Sequence, residues 1–331
     1  MALRLTMHAI AEARPGPRWQ GLFRTVWPAY RRWYLREGAH ARPQLARARE
    51  ALGEHMPELV PTWRRLTRLA GEDELAARML TLYDPPRYVA GCTQAVFRPH
   101  TGTPLLVRNY DYAPELFERV VYWSAFVGGR VIGTGDCMWG LLDGINESGL
   151  AVSMAFGGRR VSGPGFGIQL VVRYLLETCA TIQESKRALD RLPVQGSYNL
   201  TLLDRSGAAA TVWVGPDHVP VLAPQAAATN HQAGIEWVEY ARWTRTLERR
   251  ARLEKLLGDA DSGEEPIIEA FLRPPLRADG YAEGLGTLYT AVMRPSGGSL
   301  EYVWPGSTWR HQLAAPRSGT HTVTLAEASA A

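Results

Sequence analysis

The chain changes hydrophobic period at one point, and that change limits the folds open to it. Upstream of Asp84-Pro85-Pro86 the apolar residues recur at helical spacing; downstream they fall in short runs separated by turn residues. Leu22, Val26 and Tyr30, then Leu45, Leu52, Met56, Leu59, Trp63, Leu66 and Leu69, then Leu75 to Leu82, carry a helical stripe from about Trp19 to Tyr83. The prolines end it, because proline lacks the amide donor and pushes its predecessor out of the helical region. An extended stretch from Arg87 to Ala90 leads into Gly91.

Beyond Gly91 the chain reads as strands at Cys92 to Phe97, Pro104 to Asn109, Val120 to Phe126, Val131 to Gly133, Gly140 to Asn146 and Leu150 to Phe156. Ile168, Val171, Val172, Leu175, Leu176 and Cys179 then make one apolar helix stripe, followed by a helix over Ile182 to Arg191. Strands resume at Tyr198 to Asp204, Ala209 to Val214, Val219 to Leu222 and Ala226 to Asn230. One charged helix, Glu236 to Leu257, and a shorter one, Ile267 to Leu272, precede two closing strands, Gly286 to Met293 and Leu300 to Trp304. This order predicts an α+β fold: two sheets packed together with helices outside them, and a helical segment at the N-terminus.

With 331 residues, 46% hydrophobic and 21% charged, the chain has enough apolar content for a large core and too much for a disordered one. No apolar run approaches the roughly 18 residues of a membrane span. The opening Met-Ala-Leu-Arg-Leu-Thr-Met-His lacks a signal-peptide core, so a soluble, cytoplasmic protein with no membrane partner is expected. The net charge of +4 rests on arginines scattered among acids, with Lys186 and Lys255 the only lysines. The basic tracts Tyr30 to Glu50 and Arg242 to Arg252 read as solvated helix faces, which argues against nucleic acid. Cys92, Cys137 and Cys179 form no Cys-x-x-Cys pair and no disulfide framework, so neither a structural metal nor a cofactor is expected.

Cys92 follows Gly91, whose missing Cβ lets a nucleophile approach its carbonyl closely. Attack of the thiol on that carbonyl is an N-to-S acyl shift, and hydrolysis of the resulting thioester leaves Cys92 at a new N-terminus. Its α-amino group, with a pKa near about 8, is then the base for its own thiol. Arg108 supplies positive charge that favours the thiolate, and Asp111 an acceptor for the amino group or the substrate; a surface ion pair is the bland alternative for the two. Strict alternation sends Arg108 and Asp111 to opposite faces, so a strand end or bulge near Tyr110 is expected. Asn230, closing the small-residue run Ala226 to Asn230, offers an amide donor to a developing oxyanion, or else an Asx turn or cap before Glu236. His231 raises a Cys–His pair as an alternative that needs no processing.

Gly91-Cys92-Thr93, Arg108-Asn-Tyr-Asp111, Asp143-Gly-Ile-Asn-Glu-Ser-Gly-Leu150, Thr229-Asn-His231 and Gly286-Thr-Leu-Tyr289 occur in an order that resembles the N-terminal-nucleophile (Ntn) hydrolases. The chain looks most like the autoproteolytic acyl-coenzyme A:6-aminopenicillanate acyltransferase family, with the choloylglycine hydrolases more distant. The resemblance covers nearly the whole chain, including Met56-Pro-Glu-Leu-Val60 as a pre-nucleophile segment. It implies a four-layer αββα sandwich, cleavage between Gly91 and Cys92, a helical pro-segment or α-chain of residues 1–91 and a β-chain of residues 92–331.

Carried over by position, Cys92 is the nucleophile, Asp111 the partner of its amino group, Asn230 the oxyanion donor, and Arg108 a match to the choloylglycine hydrolases. Substrate contacts are expected from Thr93, Tyr110, Ala155, Phe156 and His231. The substrate implied is a small-molecule amide or acyl donor, and the reading allows for an amine acceptor and a homodimer. Two positions depart from the pattern. Ala155 stands where relatives carry an active-site asparagine, with Ser153 or backbone amides as substitutes, and Arg277 is the nearest residue to an arginine that relatives place before the last strand pair. Cys179 is expected in the core, Cys137 in a turn at the cleft, and Trp123, Trp139 and Trp213 are candidates for an apolar acyl pocket. A binding module that has lost catalysis is the competing class, favoured by Ala155 and opposed by the retained Gly91-Cys92 step.

Overall fold

The computed structural model describes residues 2–100, 102–258 and 263–326. Strand β1 (Ala2–Ala11) precedes four helices, α1 (Pro17–Tyr34), α2 (Leu45–His55), α3 (Val60–Leu69) and α4 (Glu74–Leu80). Six strands follow: β2 (Gly91–Phe97), β3 (Leu105–Tyr112), β4 (Val120–Ser124), β5 (Val131–Asp136), β6 (Gly140–Asn146) and β7 (Ala151–Phe156). Helices α5 (Ile168–Thr178) and α6 (Ile182–Leu189) lead to β8 (Tyr198–Leu203), β9 (Ala209–Gly215), β10 (His218–Leu222) and the two-residue β11 (Ala227–Ala228). Then come α7 (Val238–Trp243), α8 (Thr246–Gly258), α9 (Glu264–Phe271), β12 (Asp279–Gly280), β13 (Leu285–Arg294), β14 (Ser299–Trp304), β15 (Ser307–Gln312) and β16 (Gly319–Ala326).

The strands form two sheets. One has nine strands in the order β10-β9-β8-β7-β6-β5-β4-β1-β16; the other runs β11-β2-β3-β13-β14-β15, with β12 paired to β13. They pack face to face through β2 against β7 and β8 and through β13 and β14 against β6. Helix α5 covers the outer face of β6 and β7, and α8 and α9 cover β2 and β3. The result is the four-layer αββα sandwich. The strands lining the interior are buried on both faces along their whole length, β2, β6 and β7 included, so the polar residues they carry have to find partners inside the fold. No helix among the described residues is long and apolar enough to cross a membrane.

Three elements differ from the sequence reading. The opening residues are a strand: β1 pairs antiparallel with β16 from Ala2↔Ala326 to Ala9↔Gly319 and parallel with β4. Both partners are remote in sequence, so no local turn announces the pairing. Strands β15 and β16 extend the chain beyond the two expected closing strands: β16 pairs with the remote β1, whereas β15 folds back on β14 in a tight hairpin through Pro305 and Gly306. The single helix expected over Glu236 to Leu257 is two, broken at Arg245, which takes a left-handed φ of 51°. The break frees Thr246 Oγ1 to accept the Asn230 amide N–H at 2.8 Å.

Candidate active site

Gly91 and Cys92 open β2 with their backbone in the plane of the smaller sheet, so groups on both faces reach them. β2 and β3 pair in unbroken register, Gly91↔Asp111, Cys92↔Tyr110 and Gln94↔Arg108. Alternation then puts Cys92, Gln94, Arg108 and Tyr110 between the sheets, and Thr93, Asn109 and Asp111 toward the outer helices. The expected bulge at Tyr110 is therefore absent from β3. It occurs on the partner strand, where Thr287 faces Asp111 and Tyr289 faces Tyr110, leaving Leu288 as the extra residue. Arg108 and Asp111 serve opposite faces of one strand.

On the inner face the Arg108 guanidinium donates through Nη2 to Cys92 Sγ at 3.3 Å. Its Nη1 pairs with Asp143 of the opposing sheet and donates to the Tyr289 hydroxyl at 2.8 Å. Asp143 also accepts from Tyr289 at 2.7 Å and from Thr134 at 2.7 Å, so the ion pair is embedded in a hydrogen-bonded network. Arg108, Asp143 and Cys92 have no exposed surface. Burial pushes the Cys92 thiol up, and the Arg108 guanidinium works against that. Ser153 donates to Gln94 Oε1 at 2.8 Å. That bond spends its hydroxyl away from Asn230.

On the outer face Arg249, from α8, gathers four acceptors. Its Nη1 donates to Cys92 O at 2.8 Å, Thr93 Oγ1 at 2.7 Å and Asp111 Oδ2 at 3.0 Å, and its Nη2 to Asn230 Oδ1 at 2.6 Å. Asp111 Oδ1 accepts from Thr287 Oγ1 at 2.6 Å. Burial pushes the Asp111 carboxyl up, and Arg249 is the first of the groups opposing that shift. Thr93 is thus turned away from the inner face and is held by Arg249.

Asn230 bridges the two sides of the Gly91–Cys92 peptide. Its Oδ1 accepts the Cys92 N–H at 3.0 Å, while its Nδ2 donates to the carbonyls of Ala90 at 3.2 Å and Phe156 at 3.1 Å. The amide orientation follows from its neighbours: two donors, Arg249 and the Cys92 N–H, need an oxygen, and two carbonyls need the nitrogen. The Tyr240 hydroxyl also donates to Ala90 O, at 2.8 Å. Tyr110 donates or accepts at 2.6 Å with the Tyr88 hydroxyl, so it touches the segment that precedes Cys92. Phe156 contributes its carbonyl to Asn230, and Ala155, buried in β7, contributes no polar group.

The remaining expectations sort by distance from this cluster. The His231 ring lies 3.0 Å from Thr246 Oγ1 and 3.3 Å from Thr229 Oγ1, and no described hydrogen bond joins it to Cys92. Burial also holds the ring below the usual histidine range. Arg277 lies beside the Tyr281 hydroxyl, and the arginine that reaches Asp111 is Arg249 instead. A cavity of about 590 Å³ adjoins Gly91, lined by Tyr30, Trp33, Tyr112, Phe117 and Leu285, with Cys137 on its wall. Trp123 and Trp139 are outside that lining because their indole N–H groups are spent on the carbonyls of Leu313 and Leu80. Trp213 sits on β9, near the far edge of the larger sheet. Cys179 is buried at the end of α5.

Arg249 escaped the sequence reading because it lies in an arginine-rich helix. One signal was available: Thr246, Arg249, Leu253 and Leu256 share a helix face and are the buried residues of α8. An arginine in line with two leucines is on the inward face.

Residues 98–309 match the family acyl-coenzyme A:6-aminopenicillanic acid acyl-transferase. The match spans Arg108 to Arg249 and begins downstream of Cys92. No curated protein matches the chain. Among solved structures it is similar to two variants of the conjugated bile acid hydrolase from Clostridium perfringens. One is 14% identical over 70% of this chain and 96% of that one, with a TM-score of 0.46; the other is 13% identical over 72% and 99%, with a TM-score of 0.47. Penicillin V acylase from Agrobacterium tumefaciens is 16% identical over 67% of this chain and 86% of that one, with a TM-score of 0.45.

Proposed function

Because the chain belongs to the acyl-coenzyme A:6-aminopenicillanic acid acyl-transferase family, we propose that it is an autoproteolytic amidohydrolase or acyltransferase whose nucleophile is Cys92. The observation that carries this reading is the convergence on Cys92 of Arg108, from the inner face onto its thiol, and of Asn230, from the strand edge beyond β11 onto its amide nitrogen. The buried amide of any core residue needs an acceptor, but a core cysteine's thiol needs no guanidinium beside it.

Processing begins with attack of Cys92 Sγ on the Gly91 carbonyl carbon. The carbon–nitrogen bond breaks, the nitrogen takes up the thiol's proton, and a thioester joins Gly91 to Cys92. Water then cleaves that thioester, leaving Gly91 as a carboxylate and Cys92 with a free thiol and α-amine. In turnover the amine accepts the thiol proton, the thiolate attacks the substrate carbonyl, and the oxyanion is met by Asn230 Nδ2. Collapse breaks the carbon–nitrogen bond as the α-ammonium gives its proton to the departing amine, and water or a second amine then takes the acyl group from the thioester, returning its proton to free the Cys92 thiol. Arg108 favours the thiolate, and Asp111, fixed by Arg249 and Thr287, is the acceptor this reading gives to the new amine.

The cavity beside Gly91 suits an amide with an apolar or aromatic portion, since its wall is mostly apolar and includes the rings of Tyr30, Trp33, Tyr88, Tyr112, Phe117 and Trp243. Fragments 1–91 and 92–331 would remain one body after cleavage, because β1 is hydrogen-bonded on both sides by strands of the second fragment. Intact mass measurement of the purified chain beside Cys92→Ala tests the reading. Two fragments divided between Gly91 and Cys92 are expected from the wild type alone; a wild type that stays whole after prolonged incubation overturns it.

A further inference from the structure

We propose that the Tyr240 hydroxyl is the second oxyanion donor of the processed enzyme, acting beside Asn230 Nδ2 on the same substrate oxygen. The inference rests on the Cys92 reading above and adds a residue to it. In the unprocessed chain the Ala90 carbonyl oxygen accepts both donors, Tyr240 Oη at 2.8 Å and Asn230 Nδ2 at 3.2 Å. One carbonyl gripped by two converging donors is the geometry an oxyanion requires. The carbonyl belongs to the residue before Gly91, so the extended segment leading into β2 occupies this point as a substrate would.

Cleavage after Gly91 makes that strand a chain end. Once its end withdraws, the two donors face the next carbonyl to arrive beside Cys92. The same Asn230 amide accepts the Cys92 N–H at 3.0 Å, which ties the donor pair to the nucleophile's own nitrogen. A carbonyl bound at Asn230 Nδ2 is therefore also within the reach of Tyr240.

Tyr240 is built to hold its position. Its ring stacks on Trp237 at 5.0 Å and meets Phe156 edge-on at 5.2 Å, and its side chain is buried. Burial raises its phenol well above the usual value of 10.0, so it remains a proton-bearing donor across the working pH range. Ala155, at the position where the family resemblance expects a side-chain donor, supplies none. The Tyr240 hydroxyl reaches the site from the other side, off α7, and takes over that task.

The test compares wild type, Tyr240→Phe and Asn230→Ala as full chains. After processing is verified by mass, Cys92 acylation is followed with p-nitrophenyl butyrate, inhibition with butyraldehyde, and thiol alkylation with iodoacetamide. Ester acylation and hemithioacetal formation both create an oxyanion; alkylation creates none. The expected result is processed Tyr240→Phe whose acylation is slowed about 10²-fold, whose aldehyde inhibition weakens in parallel, and whose alkylation rate is unchanged. Equal losses in all three reactions, or no loss in any, overturn the assignment while leaving the Cys92 mechanism standing. A Tyr240→Phe chain that stays whole overturns it as well, since the hydroxyl would then serve to hold the precursor strand. A wild type that is not processed, or that takes no acyl group from the ester, overturns the Cys92 reading and this inference with it.

Discussion

Arg249 Nη2 lies 2.6 Å from Asn230 Oδ1, so a guanidinium from the outer helix layer fixes which way the Asn230 amide points. The same guanidinium neutralises Asp111, and none of the three groups is exposed to water that could replace a lost partner. Arg249→Met leaves a buried carboxylate and a buried amide oxygen without their donor. Breaking such a pair costs about 3–5 kcal/mol, which urea unfolding would register, and self-cleavage is expected to fail with it. Arg249→Lys should recover part of the stability but not the cleavage rate, because one ammonium cannot span Asp111 and Asn230 together. Wild-type cleavage in the lysine variant would mean that Asn230 is oriented without the guanidinium.

Gly91 has its own geometric demand. A Cβ built there meets Leu285 Cδ1 at 2.6 Å and Asp111 Cβ at 3.0 Å. Leu285 has a movable side-chain end, but Asp111 is held by Arg249 and Thr287. Gly91→Ala is therefore expected to lower stability by about 1–3 kcal/mol and to slow self-cleavage, read by thermal unfolding and by the time course of fragment appearance. A variant as stable and as quickly cleaved as wild type would show that the strand edge yields without moving Asp111.

The sequence exposed the sandwich because most of its strands are neighbours in the chain: β4 to β7 form an uninterrupted meander whose turns and alternation are local signals. β1 and β16 pair across almost the full length of the chain, and no local pattern encodes that contact. The same division runs through the site. Cys92, Arg108 and Asp111 stand in adjacent strands joined by one turn, and their motif is short enough to read. Arg249 and Tyr240 reach the cluster through α8, which packs on β2, and α7, which packs on α8, and that docking is a tertiary event. Arg249 left one trace, its alignment with Leu253 and Leu256; Tyr240 left none, since a tyrosine among Trp237 and Trp243 reads as ordinary core.

A second acidic cluster sets a pH dependence. The Tyr30 hydroxyl lies 2.7 Å from Glu118 and 2.9 Å from Asp136 and also accepts the Cys137 N–H at 2.8 Å. One hydroxyl proton cannot serve both carboxylates at once, and burial favours a further proton on one of them. Burial, with Asp136 adding to it, pushes the half-buried Glu118 carboxyl up from 4.5 to about 7. The folded state thus keeps a proton that the unfolded chain gives up. The stability it contributes is fully present below pH 4.5 and is lost as pH rises toward 7, by no more than about 1.4 kcal/mol per pH unit for one proton. His311, held down at about 4 by burial, contributes in the opposite sense between about 4 and 6.5, so the wild-type curve alone is not diagnostic. Subtracting the stability of Glu118→Gln from that of wild type across this range isolates the carboxyl. A difference that falls with rising pH is expected, and a flat one would place the shared proton on Asp136.

Arg108 has two tasks, and they separate by measurement. It is the buried partner of Asp143, and it is the cation 3.3 Å from the Cys92 thiol. Arg108→Met strands Asp143, for about 3–5 kcal/mol of lost stability. It also removes the first of the groups that oppose the upward push of burial on the thiol. The thiolate should then form only at higher pH, so the midpoint of iodoacetamide alkylation against pH moves up in the processed enzyme. Arg108→Lys restores a positive charge on a single nitrogen, which cannot reach Asp143, Tyr289 and Cys92 at once. If the lysine variant regains stability while its alkylation midpoint stays raised, the charge has gone to Asp143 and the thiol depends on the forked guanidinium. If the midpoint of the methionine variant equals that of wild type, Arg108 acts on the fold alone, and the thiolate is stabilised by the new α-amine.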